Sequence, residues 1–188
     1  MTGFKADILE DYDAVLRDAD MLCTPEQVSS AFDGLARAIA EALQGSNPLL
    51  LPVMIGGLVP AGRLITRLDF PLDIDYIHAT RYRGETRGAE LQWRARPQTP
   101  IAGRTVLVLD DILDEGLTLA AIVEYCKKES AERVLSAVLV DKQHDRKPAM
   151  AKADFTGLSV PDRYVFGCGM DYQGRFRNLG GIYAVGGL

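Results

Sequence analysis

The chain has 188 residues, 47% hydrophobic and 25% charged, with 21 Lys and Arg against 26 Asp and Glu for a formal net charge of -5. Length and apolar content suit one well-buried core, and the mixed charges with ordinary hydrophobicity exclude a disordered chain. The acidic balance offers no bulk attraction to nucleic acid or an anionic membrane, so neither is expected as a partner. The N-terminal stretch MTGFKADILEDYDAVLRDAD is acidic and lacks the apolar segment of a secretory signal. Cys23, Cys126 and Cys168 are scattered, without CxxC spacing, which argues against a disulfide framework or zinc site and for a reduced, cytoplasmic setting. Thr24, Pro25 and Gln27 have the order of an N-cap, an N1 proline and a capping-box partner. Behind them Val28, Phe32, Leu35, Ile39 and Leu43 recur at helical spacing until Gly45 and Pro48 stop the run. That stripe is read as core.

The register then changes. Residues 49–55 form an apolar run of strand length; its continuation to Pro60 is broken by Pro52, Gly56 and Gly57 and is too short to span a bilayer. A helix is expected at about 60–68, and the alternation LDIDYIH at 72–78 predicts a strand with one wetter face. Residues 105–109 (TVLVL) and 136–140 suit buried parallel strands, with a helix at 117–128 between them in a right-handed crossover. A last strand is expected at 164–168. Residues 81–103, with five arginines and paired glycines and prolines, read either as a solvated basic hairpin or as a functional flap.

The chemistry concentrates at 106–118, VLVLDDILDEGLT. An apolar strand ends in Asp110 and Asp111, Asp114 follows, and Gly116 opens a helix. Ligands of open α/β sheets bind beyond the carboxyl ends of strands. A helix N-terminus there would turn unpaired N–H groups toward a phosphate, with the Thr118 hydroxyl as an added donor. The carboxylates suit ribose hydroxyls, a hydrated dication or positive charge developing on a sugar carbon. Taken alone, paired aspartates read more simply as an acidic turn complementing a helix dipole; the complete arrangement favours a phosphorylated ribose.

This segment resembles the signature of the type I phosphoribosyltransferases, which bind 5-phosphoribosyl-1-pyrophosphate (PRPP). Gly56-Gly57-Leu58-Val59-Pro60 is similar to the family's pyrophosphate loop. The stretch 160–179, VPDRYVFGCGMDYQGRFRNL, resembles the purine-binding end of its hypoxanthine-guanine members. The resemblance implies an α/β fold with a mostly parallel central sheet flanked by helices. It also implies a single domain with its core at about 49–168 and a small hood made by the N-terminal segment and 169–188. By matched position, Asp110 and Asp111 would hold the ribose hydroxyls and Asp114 would be the catalytic acid/base near purine N7. The backbone of Asp114, Glu115, Gly116, Leu117 and Thr118 would hold the 5′-phosphate. Ile55, Gly56 and Arg177 would meet pyrophosphate. Lys142 would donate to purine O6, Tyr164 would stack on the base, the Val165 backbone would meet its edge, and Tyr82 would ride on the flap. Asp171 would reach Mg²⁺, the implied cofactor, with Asp110 and Asp111 as further candidates.

Each assignment has a blander counterpart. Lys142 could be a solvated strand-end lysine, Tyr164 core, Asp171 and Arg177 a surface ion pair, and the glycine pair an ordinary turn. His78 and His144 are read as structural or exposed and given no role. Three departures from the family pattern stand out: Asp110 for a usual glutamate, Ile55 for a lysine, and Glu115 where a small hydroxyl residue is usual. The expected activity is phosphoribosyl transfer from PRPP to hypoxanthine or guanine in a homodimeric or homotetrameric enzyme. The alternatives are a xanthine or xanthine-guanine enzyme, and a non-catalytic nucleotide or PRPP sensor, which the acidic Glu115 would favour.

Overall fold

The computed structural model describes residues 12–81, 91–147 and 152–187. Residues 12–18 are helical (α1), and Asp20–Cys23 forms β1. The next helix, α2 (Pro25–Leu43), begins with the expected capping box. Gln27 N donates to Thr24 Oγ1 at 3.3 Å, and Thr24 N donates to Gln27 Oε1 at 2.8 Å. These two bonds satisfy donors that the first turn would otherwise leave open. Val28, Phe32, Leu35, Ile39 and Leu43 are all buried, as their spacing requires.

The apolar run after it is only partly a strand. β2 covers Leu49–Pro52, and Val53 adds a single bridge to Ile77. Beyond it Met54 N donates to Ile77 O and Gly57 N to Val53 O, so 54–57 is a turn, with a cis Met54–Ile55 peptide. Helix α3 (Leu58–Ile65) therefore starts and ends earlier than its expected 60–68. The strand expected at 72–78 divides into β3 (Asp73–Ile74) and β4 (His78–Arg81). Asp75 explains the break: its carboxylate accepts from Tyr76 N, Gln98 N and Thr99 N, each at 2.7 Å, and so binds the loop after β5 (Leu91–Ala95). β4 and β5 pair antiparallel, the hairpin alternative for this arginine-rich region. Trp93 of β5 packs on Tyr125, with ring centroids 4.7 Å apart.

β6 (Thr105–Leu113), α4 (Leu117–Lys128) and β7 (Arg133–Gln143) form the expected crossover unit. Both strands run longer than their apolar cores, and this carries Asp110 and Asp111 inside β6 rather than beyond it. β8 (Phe155–Pro161) was not anticipated: it is a half-buried edge strand interrupted by Gly157. A Cβ on Gly157 would meet Leu139 O at 2.8 Å and Leu35 Cδ1 at 3.1 Å, so the glycine admits α2 onto the sheet.

The main sheet has order β3-β2-β6-β7-β8, with every pairing parallel. Its residues alternate between two buried faces, as in a sheet covered on both sides. Leu50, Leu107 and Leu109 pack with α2 and α3, while Leu49, Leu51, Val106 and Val108 pack with α4 and the hairpin. β9 (Val165–Phe166), shorter than the strand expected at 164–168, is not part of this layer. It joins β1 and β10 (Ile182–Ala184) in a small antiparallel sheet of order β1-β10-β9, a hood drawing on both ends of the described chain.

Candidate active site

The site is assembled where β6, the 54–57 turn and the chain after β9 meet. Asp111 is 8% exposed and its N–H donates to Asp110 Oδ1 at 2.9 Å. Burial, followed by the neighbouring charge of Asp111, holds the Asp110 carboxyl well above the usual carboxylate range. Burial also raises Asp111, with opposition from its hydrogen bond to Asp110 and from the Arg177 charge. The pair therefore favours keeping a proton between its carboxyls, a place that hydroxyl donors or a cation could take.

Two glycines allow the close approach. A Cβ on Gly56 would lie 2.1 Å from Asp111 Oδ2. Gly169, at φ 108, would place one 2.4 Å from Gly56 O, 2.9 Å from Pro60 Cδ and 3.1 Å from Asp111 Cβ. Asp171 and Arg177 do form an ion pair, at 2.5 Å, but it is half-buried and faces the site rather than solvent. Arg177 Nη1 also donates to Gly169 O at 2.6 Å and lies 3.9 Å from Asp111 Oδ2. The other Asp171 oxygen accepts from Gly174 N at 2.7 Å.

Gly116 takes φ 75 at the N-cap of α4, and among the described residues no side chain caps that helix. Its first-turn amides thus open toward the end of β6 with the positive end of the helix dipole behind them. Leu117 and Thr118 begin the helix. Glu115, beside them, is exposed. Ile55, at the neighbouring turn, is 53% exposed.

Asp114 stands between two donors from the end of β7. Lys142 Nζ reaches its Oδ2 at 3.0 Å and His144 Nε2 its Oδ1 at 2.7 Å. Partial burial works to raise this carboxyl, but hydrogen bonds from Lys142 and His144, and the Lys142 charge, outweigh it and hold it below the usual range. Lys142 has a side-chain exposure of 12%, which removes the solvated strand-end reading. Of the two readings for His144, the exposed one is removed: its side chain is only 3% exposed and bonded to Asp114. Its spacing of two from Lys142 was the available signal, since alternate residues of an extended strand share a side.

Lys142 pairs in register with Val160, which brings the chain from 160 onward beside it. Tyr164 is 46% exposed, not core, and its ring meets Tyr172 edge-to-face with centroids 5.6 Å apart. The Tyr164 carbonyl accepts from Val185 N at 2.9 Å. By alternation the N–H and C=O of Val165 turn toward the opposite edge of β9, which has no strand partner among the described residues. Tyr82 lies outside the described residues.

A parallel sheet carrying paired acids within its central strand, a helix opening after them and a small antiparallel sheet beside them define a phosphoribosyl-transferring class of α/β protein. The model of the phosphoribosyl transferase domain matches residues 19–173, and the chain belongs to that family. The hypoxanthine-guanine phosphoribosyltransferase of Bacillus subtilis is 34% identical over 160 residues, covering 85% of this chain and 88% of the relative. The hypoxanthine-guanine-xanthine phosphoribosyltransferase of Tritrichomonas foetus is 29% identical, covering 92% and 91%. Among solved structures, a hypoxanthine phosphoribosyltransferase from Staphylococcus aureus superposes with a TM-score of 0.85 at 28% identity, covering 92% of this chain and 94% of that one.

Proposed function

We propose that the protein transfers the 5-phosphoribosyl group of PRPP to N9 of hypoxanthine or guanine, giving the nucleotide and pyrophosphate in purine salvage. The observation that carries this reading is Asp114 held 3.0 Å from Lys142 beside the uncapped start of α4. In it, the amides of 114–118 and the Thr118 hydroxyl hold the 5′-phosphate. Asp110 and Asp111 accept from the ribose hydroxyls, which take the place of the proton between them. Ile55 and Gly56 offer backbone to pyrophosphate, and Arg177 adds positive charge. Tyr164 stacks on the base, the Val165 backbone meets its edge, and Lys142 donates to O6.

N9 of the base attacks C1′ as the bond from C1′ to the pyrophosphate oxygen breaks, and the proton on N7 passes to Asp114. The sugar carbon is cationic in passing, and the Asp110–Asp111 pair stabilises it. An adenine 6-amino group offers Lys142 no acceptor, and an unpaired ammonium in a closed pocket is costly, so adenine is rejected.

A hard dication fits this donor set as substrate cargo. Among the described residues no three metal-ligating side chains cluster, whereas Mg²⁺ is commonly held by one or two carboxylates with substrate phosphates and waters. Asp171, with Asp110 and Asp111, are the residues that would hold it; when bound it neutralises the leaving pyrophosphate. Exposed Ile55 and Leu58 beside Gly56 provide an apolar patch for the homo-oligomer contact. In this reading the exposed Glu115 side chain turns away from the 5′-phosphate, and a sensor that binds without turnover would show no pyrophosphate release. A cytoplasmic location accompanies this reading; among the described residues no helix is long and apolar enough to cross a membrane.

Pyrophosphate release measured with hypoxanthine, guanine, xanthine and adenine, with and without Mg²⁺, tests the assignment. Rapid Mg²⁺-dependent turnover is expected with the first two bases. Asp114→Asn should lower kcat by about 10²- to 10⁴-fold, the usual contribution of a general base. Adenine turned over as fast as hypoxanthine, or a wild-type rate for Asp114→Asn, would refute it. A rate with xanthine equal to that with guanine would support the broader base range named for the T. foetus relative.

A further inference from the structure

His144 is a second donor to Asp114 that the proposed chemistry has not used. Its Nε2 lies 2.7 Å from Asp114 Oδ1, while Lys142 occupies Oδ2. Its Nδ1 accepts from the backbone N–H of Arg146 at 3.1 Å. With Nδ1 engaged as acceptor, the ring proton belongs on Nε2, so the imidazole donates to the carboxylate. The loop that fixes the ring is itself anchored. Arg146 makes a bidentate pair with Asp162, at 2.6 and 2.8 Å, and Lys147 pairs with Asp141. The ring is nearly buried, at 3% exposure, so its orientation is set by these contacts and not by solvent.

We infer that His144 is a positioning residue for Asp114, donating through Nε2 so that the carboxylate stays ionised and its free lone pairs face the purine N7 proton. This rests on Asp114 as the general base. Lys142 alone would not suffice, because in the same reading it turns to purine O6 when the base enters. His144 then remains as the donor that holds Asp114 in place through the proton transfer. The role is specific to the Nε2 position. A glutamine amide reaches about where Nε2 does, whereas an asparagine amide falls short. The charged neighbours are Lys142 on β7, Arg146 and Asp145 in the loop after it, Glu115 before α4, and Asp162 after β8. All but His144 and Asp114 remain unchanged in the variants below.

The test is steady-state kinetics with hypoxanthine and PRPP across pH for the wild type, His144→Ala, His144→Asn, His144→Gln and Asp114→Asn. His144→Ala and His144→Asn should lose about 10- to 100-fold in kcat, the scale for a misplaced catalytic group, with KM for PRPP held within about twofold. Losing the donor raises the Asp114 pKa, so the acid limb of the kcat profile should move to higher pH. His144→Gln should restore kcat to within about threefold of wild type and bring the limb back. If His144→Ala fails to fold, the Gln and Asn pair carries the comparison. An inactive Asp114→Asn beside wild-type kcat and pH profile in His144→Asn would overturn this inference alone, as would equal impairment of the Gln and Asn variants. A wild-type rate for Asp114→Asn would overturn the general-base reading and this inference with it.

Discussion

Adjacent aspartates near the end of a buried strand are an expensive way to finish a sheet. Asp111 is 8% exposed and carries an Arg177 guanidinium at 3.9 Å, too far for a hydrogen bond, while burial and the Asp111 charge push Asp110 up. A carboxyl whose folded pKa lies above its unfolded value favours the folded state fully below the unfolded pKa. That contribution is lost as pH rises through the folded pKa. The unliganded protein should therefore lose stability through this pair as pH rises from about 4 toward neutrality. Asp110→Asn removes the charge without changing the shape. It should raise Tm at pH 7 by about 2–4 °C, the shift that ~1 kcal/mol produces in a chain of this size, and flatten the fall with pH. Thermal melts of both proteins at pH 4.5 and 7 check this; a variant that melts lower than wild type at pH 7 would show that the pair stabilises the empty fold. If the pair accepts from a ribose diol as proposed, the same substitution should also impair turnover, because an amide removes one of the acceptors.

At the level of elements, the decisive contact is the chain after β9 lying against the turn before α3. Gly169 meets backbone there, Gly56 O at 2.4 Å from a built Cβ, at φ 108. Gly174 has a comparable positive φ of 83 but nothing within 4 Å of its Cβ position. The two glycines separate strain from collision. Gly174→Ala should cost about 1–2 kcal/mol, the penalty of a left-handed conformation. Gly169→Ala adds displacement of the loop and should cost more than about 3 kcal/mol, with kcat/KM for PRPP falling as the loop leaves Asp111. Urea denaturation of the two variants makes the comparison, and equal losses would mean the contact yields easily. Such contacts also set the limit of what the sequence reveals. The capping box at Thr24 and Gln27 and the β6–α4–β7 unit rest on local patterns, and both are in place, whereas Asp110 and Asp111, expected at the end of the strand, lie within a longer β6. β8 was hidden because an edge strand with Gly157 and Pro161 has no strong alternation. The strand expected at 72–78 failed because Asp75 satisfies amides from a distant loop, a pairing no local pattern encodes. His144 was passed over because a lone histidine carries no signal until β7 is known to extend through Gln143.

For the molecule as a whole, the proposed phosphate cradle follows a strand of the main sheet while Tyr164, Asp171 and Arg177 accompany the hood, so a single ligand would tie two layers together. The main sheet and the hood sheet have separate pairings, and Gly169 on Gly56 and Arg177 between Asp111 and Asp171 link them at the site. A ligand that binds only the folded state stabilises it by RT ln(1 + [L]/Kd), or about 2.7 kcal/mol at a hundredfold excess over Kd. For a chain of this length that is a rise in Tm of roughly 5–10 °C. PRPP brings several negative charges to a protein of net charge -5 and to a pocket already holding Asp110 and Asp111. Without a dication this repulsion opposes binding, and screening by salt relieves little of it in a half-buried site. Scanning calorimetry should therefore show the full shift with PRPP and Mg²⁺ together, and little with Mg²⁺ alone or with PRPP in EDTA. An equal shift with PRPP in EDTA would mean that Arg177 and the α4 amides neutralise the substrate unaided, and would remove the metal from the account of binding.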